Sequence, residues 1–342
     1  MLYHVYIQLM SLLNQISSSI CYNGEMDKFP QGKDRTQASV MTPVLCPAIA
    51  KRYHLSLQPV RQLSGGEESE TWLTTSDDGL FVVRISPPRR TLAHLVWTHQ
   101  LMLSLQPLLP AVIVPLRAID GSTLFLYNEH PIALFPFVEG HHLDREQPSQ
   151  RLAAAQILAQ LHSAMQIAVA ASYHITRRVM QISDLPRIED PDFLQDPELD
   201  AWNAALMQQP ASYTCGPIHG DYYRRNLLVR DGRIAALLDW DDTHTDFLMQ
   251  EVAWSAWEFC KAASRDNWHP ERVRTYLHAY RDAGGPCKPE EYAMLMPFIR
   301  WRLREEIRYH LAAEAAGQDG APEYVGELLR AFHRFRGYTL TL

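Results

Sequence analysis

Cysteine is scarce in this chain, with five residues in 342, an odd number that includes no Cys-x-x-Cys pair. Disulfide frameworks and structural zinc sites both depend on closely spaced cysteines, so neither is indicated as the basis of the fold. We therefore expect reduced thiols and a cytoplasmic protein. The cysteines are Cys21, Cys46, Cys215, Cys260 and Cys287.

Two further absences limit the partners of the protein. No apolar run reaches the roughly 18–20 residues that a membrane-spanning helix needs, so we expect no membrane partner. The net charge is −7, and no block of lysine or arginine stands out. A nucleic-acid interface would need such a basic patch, so we expect no nucleic-acid partner. The sequence does not indicate an oligomeric state.

The residue pattern changes along the chain and predicts an α+β protein. Turn-forming residues separate short β-like runs in the first part, at 57–63, 71–75, 80–85, 112–117 and 123–127. Helical periodicity begins at Ser149, a suitable N-cap residue. Further helical segments are predicted at 247–263, 270–283, 289–316 and 322–336.

This change of character predicts the domain organisation. We expect residues 1–48 to form an N-terminal extension outside the main fold. We expect residues 49–137 to form a β-sheet lobe and residues 138–342 to form a mainly helical lobe. At this length the chain can bury a core in each part.

The most informative pattern is a set of polar residues around a predicted β-hairpin. Asn226 follows Asp221 by five residues, and Asp239 follows Asp221 by eighteen. The dipeptide Asp231-Gly232 lies between two apolar runs, which is a strong hairpin signal. Such a hairpin returns the chain on itself, so we expect Asp239 to face the loop that carries Asp221 and Asn226.

These residue types suit phosphoryl transfer. That reaction needs metal ions on the phosphates and an acceptor for the proton of the attacking hydroxyl. Asp239 and Asn226 supply the oxygen ligands that Mg²⁺ prefers, and Asp221 fits the base. We expect His219 to brace the loop. Asp241 and Asp242 are ambiguous: they could support Mg²⁺ indirectly or cap the next turn.

The order of these groups resembles the catalytic loop of protein kinases. The form His-Gly-Asp-x-x-x-x-Asn from His219, followed by Leu-Asp-Trp-Asp-Asp from Leu238, is similar to the aminoglycoside phosphotransferase/choline kinase superfamily. The resemblance implies a two-lobed protein-kinase-like fold. It also implies an ATP-dependent (or GTP-dependent) kinase that uses Mg²⁺ and phosphorylates a hydroxyl of a small molecule such as an aminoglycoside, homoserine or choline.

The resemblance also suggests residues for the nucleotide. A glycine-bearing turn between strands can aim backbone N–H groups at phosphates, which indicates Gly65 and Gly66, although an ordinary hairpin turn needs glycine equally. Arg84 stands where kinases carry a phosphate-binding lysine; the alternative is a solvent-facing arginine. In the family, adenine contacts the backbone of an interlobe linker, which corresponds to Phe135 and Phe137.

One departure from the kinase pattern concerns the partner of Arg84. Kinases carry an acid on the helix after the third strand, but residues 91–105 contain no Asp or Glu. Thr98 or His99 occupies the expected place. Either Glu67 or Glu68 substitutes for the missing acid, or phosphate alone holds Arg84.

The helix after Asp246 is the predicted acceptor site. Glu251, Trp254 and Glu258 share one helix face, and two carboxylates around an indole suit an amine-bearing substrate. The alternative is an amphipathic helix whose acids face solvent and whose Trp254 lies in the core.

A stripe of Arg300, Arg304 and Arg308 points the other way. It would favour an acceptor with a carboxylate or phosphate if it lines the cleft. Alternatively, it pairs with neighbours such as Glu305 and Glu306, or with acids near the active site. Charge alone therefore does not choose the acceptor.

Three other functions remain open. The missing helix acid and the arginine at the lysine position fit a nucleotide-binding pseudokinase with a regulatory role. Some members of the superfamily phosphorylate protein Ser/Thr in stress responses. A metal-dependent hydrolase is disfavoured because such sites usually add His ligands at metal spacing.

Overall fold

A computed structural model describes most of the chain, namely residues 45–63, 69–168, 185–186 and 188–340. All of them belong to one compact unit, Met41–Leu342. Gly65, Gly66 and nearly all of the predicted extension 1–48 lie outside the described residues. The predicted lobe boundaries stay predictions.

Eight α-helices lie within this part of the chain: α1 (Leu45–Tyr53), α2 (Leu92–Leu105), α3 (Pro148–Ala168), α4 (Pro197–Gln208), α5 (Leu248–Cys260), α6 (Pro270–Asp282), α7 (Leu295–Ala315) and α8 (Pro322–Arg334). The described strands are β1 (Gln58–Gln62), β2 (Glu70–Ser76), β3 (Gly79–Ile85), β4 (Phe125–Tyr127), β5 (His130–Pro136), β6 (His141–His142), β7 (Cys215–Ile218), β8 (Leu227–Arg230), β9 (Arg233–Leu237) and β10 (His244–Phe247).

The first part of the fold is an antiparallel sheet in the order β1-β2-β3-β5-β4. Side chains alternate along β3, so Phe81, Val83 and Ile85 are buried on one face. Arg84 therefore points from the opposite face. The pairing of Arg84 with Ala133 places it in the middle strand of the sheet, where its backbone is fixed from both sides.

Two sequence predictions in this region need correction. The predicted strand at 112–117 is absent, because Val112 makes only an isolated bridge to Leu237. The helix predicted to be capped by Ser149 begins one residue earlier, at Pro148. Thr91 caps α2, with its side chain accepting a hydrogen bond from the His94 amide.

The second part of the fold is helical, and α5 lies at its centre. Helix α5 contacts α3, α6 and α7, and every one of its residues is buried. Its core neighbours include Tyr276, Tyr280 and Phe298, which are fully buried. A helix covered on all sides has no solvent face. The alternative of an amphipathic helix is therefore wrong for the acids, although Trp254 does lie in the core.

The structure can be compared with the sequence for its cysteines and for membrane-spanning helices. The four cysteines in the described residues are free thiols, namely Cys46, Cys215, Cys260 and Cys287. No helix in the described ranges is both long and apolar enough to cross a membrane. The observed architecture, an antiparallel sheet followed by a helical bundle, confirms the α+β prediction.

Candidate active site

The loop that carries Asp221 (residues 219–226, the Asp221 loop) begins where strand β7 ends. Ile218 pairs with His244 of β10, so the loop leaves the sheet beside the segment that contains Asp242. Gly220 has a φ of +86°, and a Cβ at this position would lie 2.1 Å from the carbonyl oxygen of Asp242. Glycine alone meets both constraints.

Asp221 and Asn226 are in direct contact across this loop. The amide nitrogen of Asn226 donates to the backbone oxygen of Asp221 at 2.9 Å and to its Oδ2 at 2.8 Å. Both amide N–H groups are therefore used, and the amide oxygen of Asn226 remains available to a ligand.

A hairpin brings Asp239 to the same place, as the sequence predicts. Strands β8 and β9 pair through a turn in which Asp231 and Gly232 have φ of +51° and +74°, values typical of a tight hairpin turn. The Leu238 amide donates to the carbonyl of Asn226 at 2.8 Å. Asp239 follows with a φ of +59°, a conformation that aspartate tolerates better than most residues.

His219 contacts both the Asp221 loop and the end of the hairpin that precedes Asp239. Its Nδ1 accepts from the Asp221 amide at 3.3 Å, and its Nε2 lies 2.9 Å from the carbonyl of Leu238. These partners assign the proton to Nε2, since a carbonyl only accepts. Burial lowers the pKa of His219 despite the nearby carboxylates of Glu251 and Asp239. His219 is therefore neutral, and it braces the Asp221 loop.

Glu251 of α5 binds the backbone of the Asp221 loop. Its Oε1 accepts from the Gly220 amide at 2.6 Å, and its Oε2 accepts from the His219 amide at 3.0 Å. Nε2 of His162 lies 3.0 Å from the same Oε2, and Nδ1 of His162 lies 2.8 Å from the Tyr280 hydroxyl. Burial and these contacts contradict the predicted substrate contact of Glu251.

The same network keeps Glu251 ionised. Burial by itself would raise the pKa of this carboxyl. The hydrogen bond and charge of His162, with the Gly220 amide, lower it below its usual range instead. Glu251 therefore holds the loop with a full negative charge.

Trp254 and Glu258, the other predicted substrate residues, are also buried, with 7% and 8% of their surfaces exposed. Glu258 pairs with Lys261 at 2.6 Å, so its charge is neutralised within the protein. Trp254 lies under the guanidinium of Arg302, 5.2 Å from its ring centre. The prediction that Glu251 and Glu258 contact an amine of the substrate is therefore wrong. Neither acid faces solvent.

Arg84 has two carboxylate partners that the sequence analysis did not consider. Its Nη2 lies 2.7 Å from Asp239 and 2.8 Å from Asp241. Asp241 also accepts from the Ser69 hydroxyl at 3.3 Å. The expectation that phosphate alone holds Arg84 is thus wrong, and the other predicted partners, Glu67 and Glu68, lie outside the described residues.

The segment after Asp239 is held by Arg90, which precedes α2, and by His94 in the first turn of α2. Arg90 donates to the carbonyl of Asp241 at 3.1 Å and to the carboxylate of Asp242 at 3.0 Å. Nε2 of His94 lies 2.8 Å from the Asp241 carbonyl. The sequence analysis did not predict these contacts of Arg90 and His94. Two basic residues close together near a helix without acids were the signal that could have indicated them.

His99 occupies the place of the missing helix acid without replacing its charge. Its Nδ1 lies 2.9 Å from the Thr123 hydroxyl. Burial lowers the pKa of His99 to about 4, with the Arg84 charge acting in the same direction. His99 is therefore neutral at physiological pH.

Burial raises the pKa of Asp221 well above its usual range, and the charges of Asp239 and Asp242 act in the same direction. The positive charge of Arg302 opposes this shift. A carboxylate with a raised pKa is a stronger proton acceptor once ionised, which is the property that a general base requires.

The arginine stripe on α7 pairs with acids outside the site. Arg300 and Arg308 form ion pairs with Asp196 and Asp190. Arg304 lies 2.7 Å from Asp200. Of the predicted partners, Glu305 pairs with Arg308, whereas the partners at Asp190, Asp196 and Asp200 were not predicted.

Most of the backbone groups that were predicted to contact adenine form hydrogen bonds within the sheet. The Phe137 amide donates to the carbonyl of Leu80 at 3.0 Å. Phe135 lies two residues before Phe137 and pairs with Val82. Hydrogen-bonded pairs recur at every second residue of an antiparallel ladder, so the backbone of Phe135 is also hydrogen-bonded to β3. The prediction is therefore wrong for the backbone of Phe135 and for the N–H of Phe137.

Among the described residues, no cluster of three or more His, Cys, Asp or Glu side chains could hold a metal ion. The site instead combines one carboxylate, Asp239, with the amide oxygen of Asn226. This oxygen-only donor set fits a hard cation that takes its remaining ligands from phosphates and water.

Comparisons with known proteins found kinases that are similar to this chain. The homoserine kinase of Methylobacillus glycogenes is 28% identical over 246 residues, which cover 67% of this chain and 74% of that protein. An amicoumacin kinase in complex with AMP-PNP, Ca²⁺ and Ami superposes with a TM-score of 0.66 at 13% identity, covering 85% of this chain and 93% of the other. The microcompartment-associated aminopropanol kinase has a TM-score of 0.64 at 17% identity, with coverages of 86% and 96%.

A family model is matched by most of the described chain. The model of the phosphotransferase enzyme family (APH) aligns with residues 59–295, a span that contains the sheet, the Asp221 loop and α5. The fold is accordingly the two-lobed kinase-like one that the sequence motif implied. The chain belongs to the phosphotransferase enzyme family.

Proposed function

We propose that the protein transfers the γ-phosphate of ATP to a hydroxyl group of a small molecule. One observation carries the proposal: Asp221 and Asn226 are in contact, and the hairpin fixes Asp239 next to Asn226 through the Leu238 amide. A base and two oxygen ligands thus converge on one place.

In this proposal Asp221 orients the acceptor hydroxyl and takes up its proton. Asn226 fixes one carboxylate oxygen of Asp221 at 2.8 Å, so the other is directed towards the acceptor. His219 and Glu251 keep the loop backbone in place. A misplacement of about 1 Å can cost on the order of 100-fold in rate.

Asp239 and Asn226 are the residues that would hold Mg²⁺. The cation, when bound, neutralises charge on the β- and γ-phosphates. Arg84 contacts the phosphates in the same proposal, since its forked guanidinium can bind a phosphate while it keeps one carboxylate partner. Gly65 and Gly66 remain the proposed backbone contacts to the phosphates.

The acceptor that we place first is a small amino alcohol or hydroxy amino acid. One relative is named a homoserine kinase, and one structural neighbour is named an aminopropanol kinase. Both names describe a small acceptor that carries a hydroxyl and an amine. The burial of Glu251 and Glu258 argues against the acidic surface that a polycationic aminoglycoside would need.

The proposal is tested by ADP formation from Mg²⁺-ATP, and from Mg²⁺-GTP in parallel. The acceptor panel comprises L-homoserine, 3-aminopropan-1-ol, choline, ethanolamine, methylthioribose, an aminoglycoside and a generic protein. We expect stimulation by a small hydroxyl compound. Stimulation by protein alone would favour the protein kinase, and ATP binding without any turnover would favour the pseudokinase.

A further inference from the structure

Arg302 differs from the other arginines of α7 in the direction that it faces. It lies two residues from both Arg300 and Arg304, which places it about 200° around the helix from each of them. Those two pair with Asp196 and Asp200. Arg302 faces α5 instead.

The contacts of Arg302 place it beside the Asp221 loop. Its guanidinium lies over the ring of Trp254, 5.2 Å from the centre. Trp254 is one helical turn after Glu251, whose carboxylate binds the Gly220 amide. Arg302 also lies within electrostatic range of Asp221 itself.

The hydrogen bonds of Arg302 are incomplete although it is buried, with 8% of its surface exposed. Nη2 donates to Glu306 at 3.0 Å, whereas Nε is buried and has no hydrogen-bond partner. An unused donor on a buried guanidinium is costly unless a ligand completes it.

Burial by itself would lower the pKa of Arg302, but the carboxylates of Glu306, Asp221 and Asp242 raise it. The group therefore keeps its positive charge. A fixed cation stacked on an indole next to the proposed base suits a planar anion, because guanidinium and carboxylate form paired hydrogen bonds.

We propose that Arg302 binds a carboxylate of the acceptor and so selects a hydroxy amino acid over the corresponding amino alcohol. This inference rests on the proposed phosphotransferase function and deepens it. The Asp221 carboxylate contacts the hydroxyl end of the acceptor, and Arg302 holds the acid end. Trp254 limits where the guanidinium can move.

A matched pair of acceptors tests the inference. 3-Aminopropan-1-ol is homoserine without its carboxylate, so the two differ in the group that Arg302 would bind. Sites built for a polar group reject analogues that lack it by about 10⁴-fold, and we expect the wild-type kcat/KM to favour L-homoserine by at least about 100-fold.

The variants Arg302→Gln and Arg302→Lys separate binding from packing. Arg302→Gln should raise the KM for homoserine by about 100-fold and leave kcat/KM for 3-aminopropan-1-ol and the KM for ATP within about threefold. Arg302→Lys should recover part of the loss. Arg308→Gln, on the same helix but paired with Asp190 and Glu305, is the control and should change neither acceptor.

Equal losses on both acceptors would overturn the inference, because they would indicate a packing role. A raised KM for ATP with an unchanged KM for homoserine would overturn it in favour of a phosphate contact. If the wild type phosphorylates other members of the panel but not homoserine, the inference fails and the proposed function stands. If no acceptor is phosphorylated, the proposed function fails as well.

Discussion

The carboxylate of Glu251 lies 2.6 Å from the backbone amide of Gly220, and this contact fixes the loop that carries Asp221. The same carboxylate binds His162 and the His219 amide. A helix at the centre of the α-helical part thus holds the backbone of the proposed catalytic loop. Rigid support of this kind keeps catalytic groups in their productive geometry.

Glu251→Gln should lower stability in a pH-dependent way. The pKa of Glu251 is depressed in the folded state, so its contribution is present above the ordinary glutamate value and is lost as pH falls through the depressed pKa. We expect a cost of about 2–3 kcal/mol at pH 7, typical of a lost hydrogen bond to a charged group. Urea unfolding at pH 7 and pH 4 measures the difference, which should shrink at the lower pH. A constant difference would contradict the role of the ionised carboxylate.

Gly220→Ala should remove most of the activity. The added Cβ would lie 2.1 Å from the Asp242 carbonyl, and the φ of +86° is strained for alanine. We expect a loss of at least about 100-fold in kcat, as for a displaced catalytic group. Gly232→Ala is the matched control, because its φ is +74° but its Cβ meets no atom within 4 Å. That variant should lose only about 1–2 kcal/mol of stability; similar kinetics for both variants would refute the clash argument.

Arg84→Met should destabilise the protein as well as weaken nucleotide binding. Asp241 is buried and would lose the guanidinium that lies 2.8 Å away, and breaking one side of a buried pair costs about 3–5 kcal/mol. Arg233→Met, an exposed change on β9, should stay within about 0.5 kcal/mol. Urea unfolding of both variants provides the measurement. Equal stability of the two would mean that the ion pairs of Arg84 contribute nothing.

Asp239→Asn should abolish the dependence of ATP binding on Mg²⁺. The proposed site has one carboxylate, so its neutralisation removes the only formal negative charge that the protein offers the cation. Calorimetric titration with ATP, with and without Mg²⁺, measures the effect. Asp231→Asn at the hairpin tip keeps the site intact and should bind like the wild type. Unchanged Mg²⁺ dependence in Asp239→Asn would remove that residue from the metal site.

The parts of the site that were predicted from the sequence are those that depend on nearby residues. The Asp231-Gly232 turn specifies the hairpin locally, so the convergence of Asp239 on Asn226 followed from the spacing alone. The partner of Arg84 could not be predicted in this way, because Asp239 lies 155 residues further along the chain.

Burial around α5 and α7 was the other feature that the sequence did not specify. The spacing of Glu251, Trp254 and Glu258 defines a helix face, but it does not tell whether a neighbouring helix covers that face. Likewise, the arginine stripe drew attention to Arg300 and Arg304, whereas the arginine that stacks on Trp254 is Arg302, which lies between them in the sequence.

The most direct measurement is ADP formation by Asp221→Asn with the best acceptor of the panel, together with its affinity for ATP. The new amide oxygen can still accept from Asn226, so the loop geometry is kept while the base is removed. The proposed mechanism predicts a kcat lower by about 100-fold or more, typical of a lost general base, with ATP affinity unchanged. Turnover at the wild-type rate in this variant would contradict it.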